Sequence, residues 1–453
     1  MHYIILLLSI PLAIFSDDRL RLKRADILEN VVIDGQAVQY LTGNVVFEKG
    51  AMIINCAKAI NIEKTGQGSM IGNVKVVDDN RSLTCDSLHY DSPNDILNGF
   101  GNARVWDNDY DLLADTLVYY SKLDSGIARG NAELTQKSQI ITSHSIYYAK
   151  HTGEDAVSYT AEGDVTILDY ERKATCGLAI YNRENQTTWL KLNPNVTEKD
   201  QTMAGSEIIL RYKDEVMEHL YIPEQAHVTT LTKGLREIKI SHNDTTTTRS
   251  EVQFVDDLTG RSLQGFFDAG QMDSLQVEGM ATSLYHIFED SIYQGKNIAS
   301  GDTIIMSFEE NNLDHIVVSG GSRGEYMPDS VTANIDDHII YSSEIIDYKV
   351  NQEQTDLHGN AKIHYTNMDL DAGFINVDWQ SNMVNATPQS NLDSNFTFLK
   401  PTILEQGRDP MTGDEMTYNL TSKKGRVTKG RTSADDGFYT CLLYTSPRPR
   451  DRG

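Results

Sequence analysis

At 453 residues, 39% hydrophobic, 8% aromatic and with 32 glycines, the chain can bury a core and has the length of about two to three domains or one long repeat array. Forty basic residues against 65 acidic ones leave a formal charge of −25, which repels phosphate backbones at long range and argues against nucleic acid as a partner.

In chain order, the first element is an apolar run from Tyr3 to Phe15 that stops at Asp17-Asp18. It is too short to span a bilayer and has the length of a signal-peptide core, so residues 1–16 are read as an export signal, with a buried N-terminal strand as the alternative. No later stretch approaches ~18 continuous apolar residues, so no spanning helix is predicted.

A repeat follows. Gly43-Asn44, Gly72-Asn73, Gly101-Asn102 and Gly130-Asn131 stand 29 residues apart, and Gly163-Asp164 opens a fifth unit after 33. A fixed period of this kind marks a repeat architecture. Other columns keep the step: Phe47, Val76, Val105 and Leu134; Ile54, Leu83, Leu112 and Ile141; a small column of Cys56, Cys85, Ala114, Ser143 and Cys176; and Tyr90, Tyr119, Tyr148 and Tyr181. Apolar positions alternate within each unit, as in Val74/Val76 and Leu83/Cys85, which is the period of a strand with one buried face. Between Cys85 and Leu88 the phase slips, predicting a bulge or bend. The Gly-Asn pairs are expected at turns, where positive φ costs little.

The pattern fades after Thr188 and returns at Gly205-Ser206-Glu207-Ile208, Gly301-Asp302-Thr303-Ile304 and Gly359-Asn360-Ala361-Lys362-Ile363. Helical signals are nearly absent between residues 30 and 430. The expected fold is therefore all-β, in two repeat lobes over 17–195 and 196–400, the join lying within 185–205. A segment 401–439 follows. From Cys441 the sequence breaks every upstream pattern and looks like a translated sequencing adaptor, with a genuine basic tail as the alternative; residues 440–453 are set apart for that reason.

Chemistry-bearing motifs are sparse. Gly320-Gly321-Ser322-Arg323-Gly324 matches the Gly-x-Ser-x-Gly nucleophile elbow, but Pro328 follows and no amphipathic helix begins, so a turn between strands is expected. Asp107-Asn108-Asp109-Tyr110-Asp111 resembles the start of a calcium loop, yet Leu112 stands where glycine is required and Val118 where the bidentate glutamate belongs, which leaves a solvated hairpin turn. The histidines form no His-Glu-x-x-His and the cysteines no Cys-x-x-Cys, so the catalytic, metal and cofactor sets are all read as empty. Cys56 and Cys85 share a column, which allows either a disulfide between adjacent units or, in line with the Ala and Ser at equivalent positions, small buried thiols.

The Gly-Asn openings, with the strand Leu112 to Tyr120 reading Leu-x-Ala-Asp-x-Leu-x-Tyr-Tyr, resemble the OstA-like domain of LptA and of the LptD N-terminal region. Val277 to His286, Gly301 to Ile304, Met416 to Leu420, Lys424 to Arg426 and Asp435 to Tyr439 resemble the longer LptD-type form. The similarity covers about residues 20 to 439. It implies an elongated, incompletely closed β-jelly-roll whose apolar interior shields the acyl chains of lipopolysaccharide, without enzymatic activity. The candidate lipid-binding set is then Phe47, Ile54, Val76, Leu83, Val105, Leu112, Leu134 and Ile141. Basic side chains such as Lys75 and Arg104 are expected on a rim. Implied partners are lipopolysaccharide, an LptA-like bridge protein added at an edge strand, and an LptE-type lipoprotein if a barrel follows. The implied location is the periplasm, in association with the outer membrane. A free-standing LptA- or LptC-like carrier and a surface β-helix or adhesin repeat protein are the alternatives.

Overall fold

In the computed structural model, residues 20–445 are described, apart from 63–64, 79–80, 109–110, 121–122, 124, 137–138, 151–156, 170–171, 183, 215, 240–246, 311, 390–397 and 435–436. The expected export signal and residues 446–453 of the tail lie outside the described residues. Among those described, the chain is almost wholly strand; helix is confined to short 3-10 turns such as Val350–Gln352, and no α-helix occurs. Among the described residues no helix is long and apolar enough to cross a membrane, which has no bearing on spanning by strands. The all-β expectation holds.

By their contacts the residues divide into two units, one reaching Lys199 and taking in Ser206–Met217, the other holding Asp200–Gly205 and running on from Glu218. The first is an antiparallel meander in which each strand pairs with the next: Gln36–Lys49, Met52–Ile62, Gln67–Asp78, Arg81–Asp91, Ile96–Trp106, Asp111–Tyr120, Ser125–Gln136, Gln139–Lys150, Val157–Asp169 and Arg172–Asn182. Alternating apolar residues supply one buried face, and short links such as Gly50-Ala51 reverse the chain between Lys49 and Met52.

The Gly-Asn pairs are not at these turns, contrary to the sequence expectation. Gly43-Asn44, Gly72-Asn73, Gly101-Asn102 and Gly130-Asn131 sit in mid-strand, where the register of every hairpin shifts. Both residues of each pair have positive φ, 73° and 46° at Gly101-Asn102 and 76° and 48° at Gly130-Asn131. The pair is a two-residue bulge opposite a single inserted residue on the neighbour, and it bends the strand without ending it. The slip expected between Cys85 and Leu88 is the other side of the same bulge, since the pairing jumps from Thr84↔Arg104 to Ser87↔Phe100.

Glycine is required at these bends for a second reason. A Cβ on Gly101 would run into the Asp86 carboxylate, and one on Gly130 into that of Asp115. The following asparagine donates to the same carboxylate, Asn102 to Asp86 at 3.2 Å and Asn131 to Asp115 at 3.1 Å. Thus the Cys85-Asp86 or Ala114-Asp115 step of one strand and the Gly-Asn step of the next form one structural joint.

The second unit has the same plan with longer strands: Gln271–Glu289, Ile292–Glu309, Asn312–Pro328, Ile339–Lys349, Gln354–Tyr365 and Met368–Asp378. Bulges of the same kind stand at Gly279-Met280, Gly320-Gly321 and Gly359-Asn360, again with positive φ. Strands of 17 to 19 residues stretch the step between bulges, which is why the 29-residue period disappears from the sequence here. Thr402–Glu405, Met411–Thr412, Glu415–Asn419, Lys424–Ala434 and Gly437–Thr445 extend this sheet, so the segment after residue 401 is strand as well.

Candidate functional site

The eight candidate lipid-binding residues converge on a single line. Pairing across successive strands runs Phe47↔Ile54↔Val76↔Leu83↔Val105↔Leu112↔Leu134↔Ile141, so the two columns read from the sequence are one unbroken cross-strand row. Because hairpins reverse direction at each turn, the sequence period shows every second member of the row. The row also extends beyond the candidate set, to Leu22 at one end and to Ile167, Ala174 and Val196 at the other. At about 4.8 Å per strand, eight members make a continuous apolar stripe roughly 34 Å long.

Two further rows share the interior. Next to the bulges stands the small row, with the pairs Val45↔Cys56, Val74↔Cys85, Ala103↔Ala114, Ala132↔Ser143 and Val165↔Cys176, every member of it buried. Small side chains are needed there because the bend brings the two arms of the strands together. Past the bend, Leu41↔Ala59↔Met70↔Leu88↔Gly99↔Leu117↔Ala128↔Ile146 forms an apolar row on the other arm. The tyrosine column lies deeper in that arm, where the Tyr148 and Tyr159 rings meet at a tilt, 5.5 Å apart, and Tyr159 and Tyr181 stack at 6.3 Å.

The stripe is not uniformly closed. Phe47, Ile54 and Val76 belong to one packed cluster with Leu41, Met70 and Leu88 from the other arm, and Ile54 is fully buried. Val105 and Leu134 are buried, whereas Leu83, Leu112 and Ile141 are only half-buried. Each aliphatic side chain of this size contributes roughly 1.5–3 kcal/mol when fully removed from water, so the half-buried members retain apolar surface that a ligand could cover.

Lys75 and Arg104 do not line this interior. They alternate with Val74/Val76 and Ala103/Val105 and so project from the opposite, exposed face. Arg104 is engaged there with Asp111, Nε to Oδ1 at 2.9 Å, and lies over the Trp106 ring. That contact also occupies the last acid of the apparent calcium loop, whose Asp109 and Tyr110 lie outside the described residues.

The remaining motifs resolve structurally. Ser322 is in the middle of a strand, 1% exposed, with its Oγ 2.9 Å from the Val318 carbonyl and 3.1 Å from that of Glu344. Strand continues on both sides, so this is a bulge rather than the expected turn, and the helix that an elbow needs is missing. Cys56, Cys85 and Cys176 are buried free thiols, and burial pushes Cys56 and Cys85 up to about 11. Cys56 and Cys85 lie on strands separated by Gln67–Asp78, about two strand spacings apart, too far for a disulfide.

Two features escaped the sequence reading. Strand Ile27–Ile33 pairs on one side only among the described residues and is exposed along its length, with Val32 73% accessible. Its Ile-Leu and Val-Val-Ile steps were a legible signal of apolar surface. In the second unit, Asp347, Asp356 and His358 come together with one ligand atom from each within 4.8 Å of the others. Only the Asp-x-His spacing on one strand hinted at this, because the third residue depends on the hairpin register.

No curated protein matches the chain. Among solved structures, one that it is similar to is LptH from Pseudomonas aeruginosa, described as the LptA homologous periplasmic component of the conserved lipopolysaccharide transport device. The identity is 19%, the match covers 33% of this chain and 94% of that one, and the TM-score is 0.27. In the comparison with protein families, residues 60–206, which carry most of the apolar stripe, match the family described as OstA-like protein.

Proposed function

We propose that the chain binds lipopolysaccharide through its acyl chains and conducts it across the periplasm toward the outer membrane, as the N-terminal part of an LptD-like assembly protein. The observation that carries this reading is the unbroken row from Phe47 to Ile141, sealed at one end and half-open at Leu83, Leu112 and Ile141. An acyl chain is a flexible apolar rod, and a stripe about as long as several strand spacings shields it while leaving a charged sugar in water. The OstA-like match over residues 60–206 supports the same assignment. The role is one of binding without catalysis: the one nucleophile-like motif is buried in a strand, and shielding a lipid requires no acid, base or nucleophile.

The exposed strand Ile27–Ile33 is the edge at which an LptA-like bridge protein would add a strand, since an unpaired edge offers backbone donors and acceptors in register. An LptE-type lipoprotein would join only if a barrel follows this region. The test is equilibrium binding of lipopolysaccharide to the purified chain and to Leu112→Asp. An unpaired carboxylate in the stripe costs several kcal/mol when a ligand desolvates it, so the variant should lose binding while keeping its β-sheet circular dichroism. Unchanged affinity in a folded variant would refute the reading.

A further inference from the structure

The second unit carries a constellation that the lipid stripe does not use. We propose that Asp347, Asp356 and His358 bind a zinc-class divalent ion on the polar face of the sheet, with His315 set against Asp347 as an outer partner.

Strand alternation fixes the face. Val318, Ile346, Leu357 and Ile375 form one row across four strands and are all nearly inaccessible. Asp347, Asp356 and Asn376 form the adjacent row and therefore project from the opposite side. His358, two residues from Asp356 on the same strand, shares that side and packs against Phe374 at 5.0 Å between ring centroids.

Two carboxylates meet on this face, each with a basic neighbour. Asp347 and Asp356 are directly opposed in the ladder, and like charges so placed destabilise a sheet. Lys349 relieves one of them: its Nζ is 2.6 Å from Asp356 Oδ2, and the Asn376 amide donates to Asp356 Oδ1 at 2.7 Å. Those two contacts orient Asp356 in the way outer partners orient a metal-ligating carboxylate.

Asp347 is treated differently. Its Oδ1 lies 3.0 Å from His315 Nε2, and both atoms are shut off from solvent, yet neither makes a hydrogen bond. The separation suits a hydrogen bond but the direction does not. An imidazole set against a carboxylate in this way holds it in place as an outer partner holds a metal-ligating group. The mixture of imidazole and carboxylate selects a borderline transition metal over the all-oxygen preference of calcium or magnesium. Bound there, the ion would tie together the two strands Ile339–Lys349 and Gln354–Tyr365.

The test is calorimetric titration of the untagged, chelator-treated full chain with zinc chloride. A saturable site with one ion per chain is expected, weakened at least about tenfold in Asp347→Asn and in His358→Gln and unchanged in His364→Gln, whose histidine is paired with Asp369 elsewhere on the surface. Should the variants misfold, the unmutated chain still decides: zinc should protect His358, but not His364, from diethyl pyrocarbonate, read by mass spectrometry. Absence of a saturable site, undiminished binding in both folded variants, or equal modification of His358 with and without zinc would overturn the proposal.

Discussion

Asn131 donates its side-chain amide to the Asp115 carboxylate, 3.1 Å away on the preceding strand, and the neighbouring Gly130 has no room for a Cβ because of the same carboxylate. The equivalent contact between Asn102 and Asp86 repeats one unit earlier. A bent strand is thus held by a left-handed two-residue bulge on one side and an aspartate on the other, and the apolar rows on both arms depend on that bend.

Replacing Gly130 by alanine should therefore destabilise the first unit by about 1–3 kcal/mol, through positive-φ strain and the collision with Asp115. Gly35 has a similar φ of 74° but open space around it, so Gly35→Ala should cost less. Combining Gly130→Ala with Asp115→Ala should recover part of the loss, as a double-mutant cycle in denaturant would show. Strict additivity would mean that the two positions do not share a joint.

In the second unit, Arg236 Nη2 lies 2.8 Å from Asp329 Oδ1, and the aspartate side chain is only 1% exposed. Arg236→Ala leaves a buried carboxylate without its cation and should cost about 3–5 kcal/mol. The exposed pair Arg172–Glu198, also at 2.8 Å, is the control, and Arg172→Ala should cost about 0–1 kcal/mol. Equal losses in urea unfolding would contradict the burial argument.

Acid should loosen the last strands of the second unit. The ammonium groups of Lys400 and Lys429, 2.8 and 2.9 Å from Asp414, lower its carboxyl from 3.8 to about 2. A depressed carboxyl stabilises the folded state above its unfolded value of 3.8, and this contribution is lost as pH falls from 3.8 through about 2. Hydrogen exchange of Lys424–Ala434 should accelerate across that interval in the unmodified chain, and less so in Asp414→Asn. The same pH dependence in both proteins would assign the effect to other groups.

The strand content, the repeat and the membership of the apolar stripe were legible because side-chain alternation and a constant 29-residue step survive in one dimension. The identity of the two columns was not, since Phe47 and Ile54 belong to opposite directions of the chain and meet only through register. Gly-Asn was misplaced at turns because positive φ is equally cheap in a hairpin turn and a bulge; the distinguishing clue was the aspartate 16 residues before Asn102 and Asn131. Longer strands concealed the repeat in the second unit. The opposition of Asp347 and Asp356 depends on a hairpin between them, so no linear motif records it.

The most direct measurement is photo-crosslinking of lipopolysaccharide from position 112 against position 113. Leu112 belongs to the inner row and is half-buried, whereas Leu113, its immediate neighbour, is 39% exposed on the outer face, so the two probes share apolarity and differ in side. The lipid-stripe account predicts strong labelling from 112 and little from 113, with the same contrast between 83 and 82. Equal labelling from 112 and 113, or none from either while the chain remains folded, would contradict it and leave the row from Phe47 to Ile141 as packing alone.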